Sequence, residues 1–176
     1  MKTLYDIDCY DWADIDAKSR TLAAMIDGPV DVIVAVMRGG AVPATIIANE
    51  LDVDHVLGTK IIQNGQTTGI TADGAAPYIG SRAEVLVPLN DVPLAGRHVL
   101  IVDDVLDSGE TLRRVRDDVR GAGAASARIA TLHTKTYAKM SPDFCVETRT
   151  NWVFYPWMAA WEFDSMRQNL ARARQN

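Results

Sequence analysis

The stretch VLIVDDVLDSGETL, residues 99–112, decides the fold. It opens on four apolar residues, Val99 to Val102, three of them β-branched, as in a strand buried on both faces of a parallel sheet. Two acids, Asp103 and Asp104, end the run; Asp107 follows, and then Ser-Gly-Glu-Thr. Unpaired carboxylates are costly inside a protein, so a group from outside the chain is expected to compensate them. Gly109 permits a tight turn from strand to helix and lets a ligand approach the backbone. Ser108, Gly109, Glu110 and Thr111 would present N–H groups at a helix N-terminus, joined by the hydroxyls of Ser108 and Thr111. That arrangement suits a phosphate. Helix capping by Asp107 or Ser108 is the plainer use of the same residues, and the two uses are compatible. Side chains alternate along a strand, so Asp103 and Asp104 would face different sides unless the strand ends between them. Carboxylates accept hydrogen bonds from vicinal hydroxyls and can sit near a Mg²⁺ held by phosphates. A sugar phosphate supplies both the hydroxyls and the phosphate.

Outward from this stretch, short apolar segments alternate with helical ones. Residues 11–28 predict a helix with Trp12, Ile15, Leu22 and Ile26 on one face and Gly28 as its stop. VDVIVAV (30–36) predicts a buried strand, MRGG (37–40) a turn, and AVPATIIANEL (41–51) a helix with Pro43 near its first turn. Further strands are expected at 55–62, 83–89, 97–104, 126–134, 143–147 and 152–156. Helices are expected at 109–123, closed by Gly121 or Gly123, and in the tail 164–176. Residues 63–82 are rich in Gly and Thr and read as a mobile lid loop, or else as a plain excursion such as a short hairpin. The alternation predicts one α/β domain, 1–176, built on a doubly wound, mainly parallel sheet. Ligands bind such sheets beyond the carboxyl ends of the strands, where the turns MRGG and DDVLDSGET fall.

Composition narrows the function. The chain has 176 residues, 48% hydrophobic and 23% charged, enough for a real core, and no apolar run approaches a membrane span of about 20 residues. Its first residues lack the apolar region of a signal peptide, so a cytoplasmic protein is expected. Cys9 and Cys145 read as reduced thiols, and His55, His98 and His133 lack metal-ligand spacing. A net charge of −5 argues against a general nucleic-acid surface but not against a small anionic ligand. There is no P-loop, because no Gly-Lys dipeptide occurs, and GAGAAS (121–126) reads as a helix stop.

VLIVDDVLDSGETL resembles the phosphoribosyl-pyrophosphate (PRPP) signature of type I phosphoribosyltransferases. VIVAVMRGGAVPA is similar to that family's pyrophosphate loop, and HTKTYAKMSPDF with NWVFYP to the base-binding region of its 6-oxopurine branch, which salvages hypoxanthine, guanine or xanthine. The similarity spans roughly residues 29–157. It implies that Asp103 and Asp104 bind the ribose hydroxyls of PRPP with Mg²⁺ nearby, held directly or indirectly. It implies that Asp107, Ser108, Gly109, Glu110 and Thr111 cradle the 5′-phosphate, and that Asp107 is the general acid/base near N7 of the purine. Met37, Arg38 and Gly39 would hold the pyrophosphate, across a Met37–Arg38 peptide that is often cis in the family. Lys135 would donate to the 6-oxo group, Trp152 would stack on the base, and the Val153 backbone would meet its edge. Residues 135–164, with the N-terminus, would form a small hood over the base. A homo-oligomer, dimer or tetramer, is expected, with the aromatic residues from Trp157 to Phe163 as an interface.

Three departures stand out. Met158 occupies a position where relatives often carry an acid that helps hold a second Mg²⁺; Glu162 and Asp164 are the nearby acids that could substitute. The 60–82 region lacks the family's Ser-Tyr pair, Tyr78 being its only tyrosine. Glu110 stands where some relatives have Lys. The expected reaction is transfer of the 5-phosphoribosyl group from PRPP to a 6-oxopurine. A transferase for orotate, adenine or uracil, and a non-catalytic sensor of PRPP or nucleotides, remain open, as does the preferred 6-oxopurine.

Overall fold

The apolar run before the acids lies in the middle of a six-stranded sheet. The computed structural model describes residues 1–4, 6–67, 78–89 and 93–173. In chain order its elements are β1 (Lys2–Leu4), β2 (Ile7–Cys9), α1 (Trp12–Met25), β3 (Val32–Val36), α2 (Ala41–Leu51), β4 (Val56–Thr67) and β5 (Tyr78–Val87). Then come β6 (His98–Leu106), α3 (Glu110–Gly121), β7 (Ser126–Lys135), β8 (Phe144–Arg149), β9 (Trp152–Phe154) and α4 (Ala160–Ala173). The large sheet has the order β5-β4-β3-β6-β7-β8, and β1-β2-β9 form a second, small sheet. In the large sheet only β4 and β5 pair antiparallel. The chain leaves β3 toward β4 on one side and returns to β6 on the other. The strand order therefore switches between β3 and β6, where a crevice opens at the carboxyl ends.

Alternation along the central strands sends side chains to two cores. Ile33, Ala35, Leu100 and Val102 pack with Ile15 and Leu22 of α1 and with Ala44 and Ile47 of α2. Val32, Val34, Val36, Val99 and Ile101 pack on the opposite face with Leu112, Val115 and Val119 of α3. Each large aliphatic side chain so buried stabilises the fold by about 1.5–3 kcal/mol. These cores on both faces hold β3 and β6 rigidly, and so hold the turns that leave them.

Several sequence expectations need correction. Trp12, expected on the buried face of α1, is 57% exposed and lies tilted against Trp157. The helix starts there because Asp11 caps it through a reciprocal pair of hydrogen bonds with Asp14, at 2.8 and 3.2 Å. Residues 63–67 and 78–82, read as part of a lid loop or else of a short hairpin, take the hairpin form, extending β4 and β5 into an antiparallel ribbon running from Lys60↔Val87 to Thr67↔Tyr78. The remainder of the expected lid, 68–77, lies outside the described residues. α3 ends at Gly121, and Gly123, at φ +83°, makes the left-handed turn after it. The tail helix starts at Ala160, ahead of the expected Asp164, because the Glu162 carboxylate accepts a hydrogen bond from the Ala159 N–H at 3.0 Å. β1 and β2 carry no readable signal, being three residues each. β2 runs parallel to β9 in the register Ile7↔Trp152 and Cys9↔Phe154, so both ends of the chain build the expected hood. Among the described residues no helix is long and apolar enough to cross a membrane.

Candidate active site

Two turns leave the sheet on either side of the switch point, and the first touches the end of β6 that leads into the second. In the turn from β3 to α2 the Met37–Arg38 peptide is cis and both residues are exposed. A methyl group on Gly39 would lie 1.9 Å from Oδ2 of Asp104, so the turn sits directly on that carboxylate. On Gly40 it would lie 2.5 Å from the Val102 carbonyl oxygen and 2.6 Å from that of Val36. Only glycine lets this turn approach the end of β6 so closely.

The acids occupy the part of β6 that has outrun β3. Pairing between those strands ends at Ala35↔Val102, whereas β7 continues alongside to Leu106↔Thr134. The Asp104 N–H donates to Asp103 Oδ1 at 2.9 Å, and the Val105 N–H donates to Asp104 Oδ1 at 2.8 Å. Burial pushes both carboxyls above the usual range, and the charge of Asp104 pushes Asp103 further. Two adjacent hard-oxygen donors fit Mg²⁺, which takes one or two carboxylates and completes its shell with water and substrate oxygens. Among the described residues no third acid, His or Cys joins them into a full protein cage.

At the turn into α3, Gly109 adopts φ +92°, and a methyl there would lie 2.5 Å from Met140 Cγ. The N-cap residue Gly109 has no side chain to cap α3 with. Of the two expected capping residues, Ser108 takes the part, its Oγ accepting a long 3.3 Å bond from the Glu110 N–H, so that amide is not open. The Asp107 carboxylate instead accepts a hydrogen bond from the Tyr137 hydroxyl. Thr111 stands in the first turn of α3. The Ser108 carbonyl accepts from the Lys139 N–H at 3.2 Å, so residues 137–140 brace the turn from outside.

The base-binding candidates lie at the end of β7 and in β9. Lys135 is buried, its ammonium donating to the Asn151 carbonyl. Burial lowers its pKa to about 8, against the opposing pull of Asp107 and Asp8. Trp152 is half-buried, with its indole N–H shielded and unpartnered among the described residues. Val153 buries its side chain in the core. The Phe154 carbonyl accepts from the Tyr10 N–H, so the backbone of Phe154 faces the β2 side. That of Val153, one residue earlier, faces the side of β9 on which no strand pairs among the described residues. Met158 turns its sulfur to the Tyr155 N–H at 3.4 Å. Glu162 caps α4 and Asp164 pairs with Arg167 at 3.8 Å, so both acids find partners within their own helix segment.

The sequence reading missed Tyr137, Met140, Asn151 and Tyr155. Tyr137 and Met140 fall inside the quoted KTYAKM run and could have been found there. Asn151 and Tyr155 flank Trp152 and Val153, but nothing local shows where their polar groups go.

Residues 10–163 match the family model described as a phosphoribosyl transferase domain. A xanthine-guanine phosphoribosyltransferase of Ruegeria sp. is 34% identical over 161 residues, covering 86% of this chain and 85% of that protein. Another, from Nitratidesulfovibrio vulgaris, is 32% identical over 144 residues, covering 81% and 77%. The crystal structure of a purine phosphoribosyltransferase from Pyrococcus horikoshii Ot3 superposes with a TM-score of 0.74 at 29% identity, covering 88% of this chain and 95% of that one.

Proposed function

The chain belongs to the phosphoribosyl transferase family, and from that premise we propose that it is a purine salvage enzyme. It transfers the 5-phosphoribosyl group of PRPP to a 6-oxopurine, giving the nucleoside 5′-monophosphate and pyrophosphate. The observation that carries this reading is the seating of Gly39 on the Asp104 carboxylate. It puts a turn suited to pyrophosphate against an acid pair suited to ribose hydroxyls, with a helix N-terminus suited to the 5′-phosphate following on the same strand.

In this mechanism Asp103 and Asp104 accept hydrogen bonds from the ribose hydroxyls. The first turn of α3 holds the 5′-phosphate, which takes over the Glu110 amide now loosely satisfied by Ser108. Asp103 and Asp104 would hold Mg²⁺ directly or indirectly, and when bound it would supply neutralisation of charge on the leaving pyrophosphate. Arg38, exposed beside Gly39, adds to it. Lys135 donates to the 6-oxo group, Trp152 stacks on the ring and the Val153 backbone meets its edge. Asp107 takes the proton released at N7 as the base becomes bonded to the ribose; Tyr137 holds its carboxylate. The names of the Ruegeria, Nitratidesulfovibrio and Pyrococcus relatives support a purine as the base. We place the enzyme in the cytoplasm as a dimer or tetramer, with Trp161, 70% exposed beside the other hood aromatics, at the interface.

A panel of hypoxanthine, guanine, xanthine, adenine, uracil and orotate with PRPP, with and without Mg²⁺, tests the assignment by pyrophosphate release. Release is expected with 6-oxopurines and only with Mg²⁺. Release with another base alone reassigns the substrate. PRPP binding without release for any base makes the protein a sensor.

A further inference from the structure

Among the described residues the acid-bearing end of β6 has no strand neighbour on the β3 side past Val102, and side chains meet three of its polar backbone groups. Two of these contacts are internal to the pair, the Asp104 N–H to Asp103 and the Val105 N–H to Asp104. The third comes from the hood: the Tyr155 hydroxyl donates to the Asp104 carbonyl at 3.0 Å. That carbonyl belongs to the same rigid peptide unit as the Val105 N–H. Tyr155 therefore pins the plane whose other end holds the Asp104 carboxylate at 2.8 Å.

The phenol is itself held. Tyr155 is 2% exposed and stacks on Trp157 at 4.6 Å with the rings 8° apart. Its one proton goes to Asp104, so its oxygen is the acceptor for Nδ1–H of His133 at 2.8 Å. This fixes the proton of His133 on Nδ1. Nε2 is then bare, lying 3.6 Å from Glu147 Oε2 without a hydrogen bond. Glu147 does not need it, because Tyr10 donates to it at 3.1 Å and Lys18 and Arg149 pair with it at 2.6 and 2.5 Å. Burial and the charge of Lys18 drive the His133 pKa down to about 3, consistent with a neutral ring.

We propose that Tyr155, oriented by His133, is a positioning residue that aims the Asp103–Asp104 pair at the activated pentose, a role that rests on the proposed binding of the ribose hydroxyls by that pair. The hood thereby does more than meet the base. It reaches across to set the sugar site.

The test is steady-state kinetics and calorimetry with PRPP and Mg²⁺ on the full chain. Tyr155→Phe keeps the ring and removes the donor. It is expected to raise the KM and Kd for PRPP about tenfold, the cost of one orphaned buried carbonyl, and to leave the KM for the base unchanged. His133→Leu should reproduce the effect, whereas His133→Asn, which keeps an N–H near the place of Nδ1, should restore near-normal PRPP affinity. Asp104→Asn separates the proposal from its premise. If Asp104→Asn weakens PRPP binding while Tyr155→Phe and His133→Leu do not, the positioning role is wrong and the sugar site stands. If Asp104→Asn has no effect, the premise itself fails. A KM for the base that rises as much as that for PRPP, or a His133→Asn variant no better than His133→Leu, also overturns the proposal, because the residues would then be merely structural.

Discussion

Gly39 and Gly40 adjoin the same strand end, yet replacing them should damage different properties. In Gly39→Ala the new methyl would start 1.9 Å from Oδ2 of Asp104, so the carboxylate must retreat by about 1.6 Å to reach an ordinary separation of about 3.5 Å. It can do so by turning its side chain, at the expense of the 2.8 Å bond from the Val105 N–H. Orphaning that amide costs about 1–3 kcal/mol. A displacement of this size at a substrate-positioning group costs roughly 100-fold in rate. In Gly40→Ala the methyl would meet the carbonyl oxygens of Val102 and Val36 at 2.5 and 2.6 Å and the Asp103 Cα at 2.9 Å. These are backbone atoms at the core of the sheet and cannot rotate away. The strain is about 3 kcal/mol or more, which in a domain of this size lowers Tm by roughly 6–12 °C. Thermal unfolding and pyrophosphate release, both measured on each variant, separate the two. Gly39→Ala should lose kcat/KM for PRPP about 100-fold while still folded at the assay temperature, and Gly40→Ala should show the larger fall in Tm. Wild-type kcat/KM in Gly39→Ala would refute the seating of the turn on the acid pair, as would a wild-type Tm in Gly40→Ala.

Three further outcomes are expected. Asp107→Asn should lower kcat about 10²–10⁴-fold, the usual worth of a general acid/base, with little loss of PRPP affinity by calorimetry; undiminished turnover would remove Asp107 from that role. Lys135 has a folded pKa of about 8 against an ordinary 10.5, so its ammonium is present below pH 8 and lost above it. The KM for hypoxanthine should rise about tenfold per unit above that point. Lys135→Gln, compared over the same range, should lack that component of the rise. Because the unfolded chain holds this proton to higher pH, the contribution of Lys135 to stability rises with pH between about 8 and 10.5.

What the sequence determined by itself was whatever is written contiguously. The strand 99–102, the acids 103–104 and the glycine turn at 109 are neighbours in the chain, so β-branching, charge and glycine could be read as one device. The same holds for VDVIVAV followed by MRGG. Lys135, Trp152 and Val153 were legible only through family resemblance, since a lysine or a tryptophan carries no local sign of what it faces. The tertiary structure alone decided that Gly39 rests on Asp104, because that contact depends on the order of β3 and β6 in the sheet. It likewise extended a Gly- and Thr-rich stretch into the β4–β5 ribbon, where cross-strand pairing outweighs weak local propensity. It also recruited the three-residue β2 into the hood and brought the Tyr155 hydroxyl back to a carbonyl of β6. Local propensities act over a few residues, whereas these contacts join segments distant in the chain, and only the packed sheet brings them together.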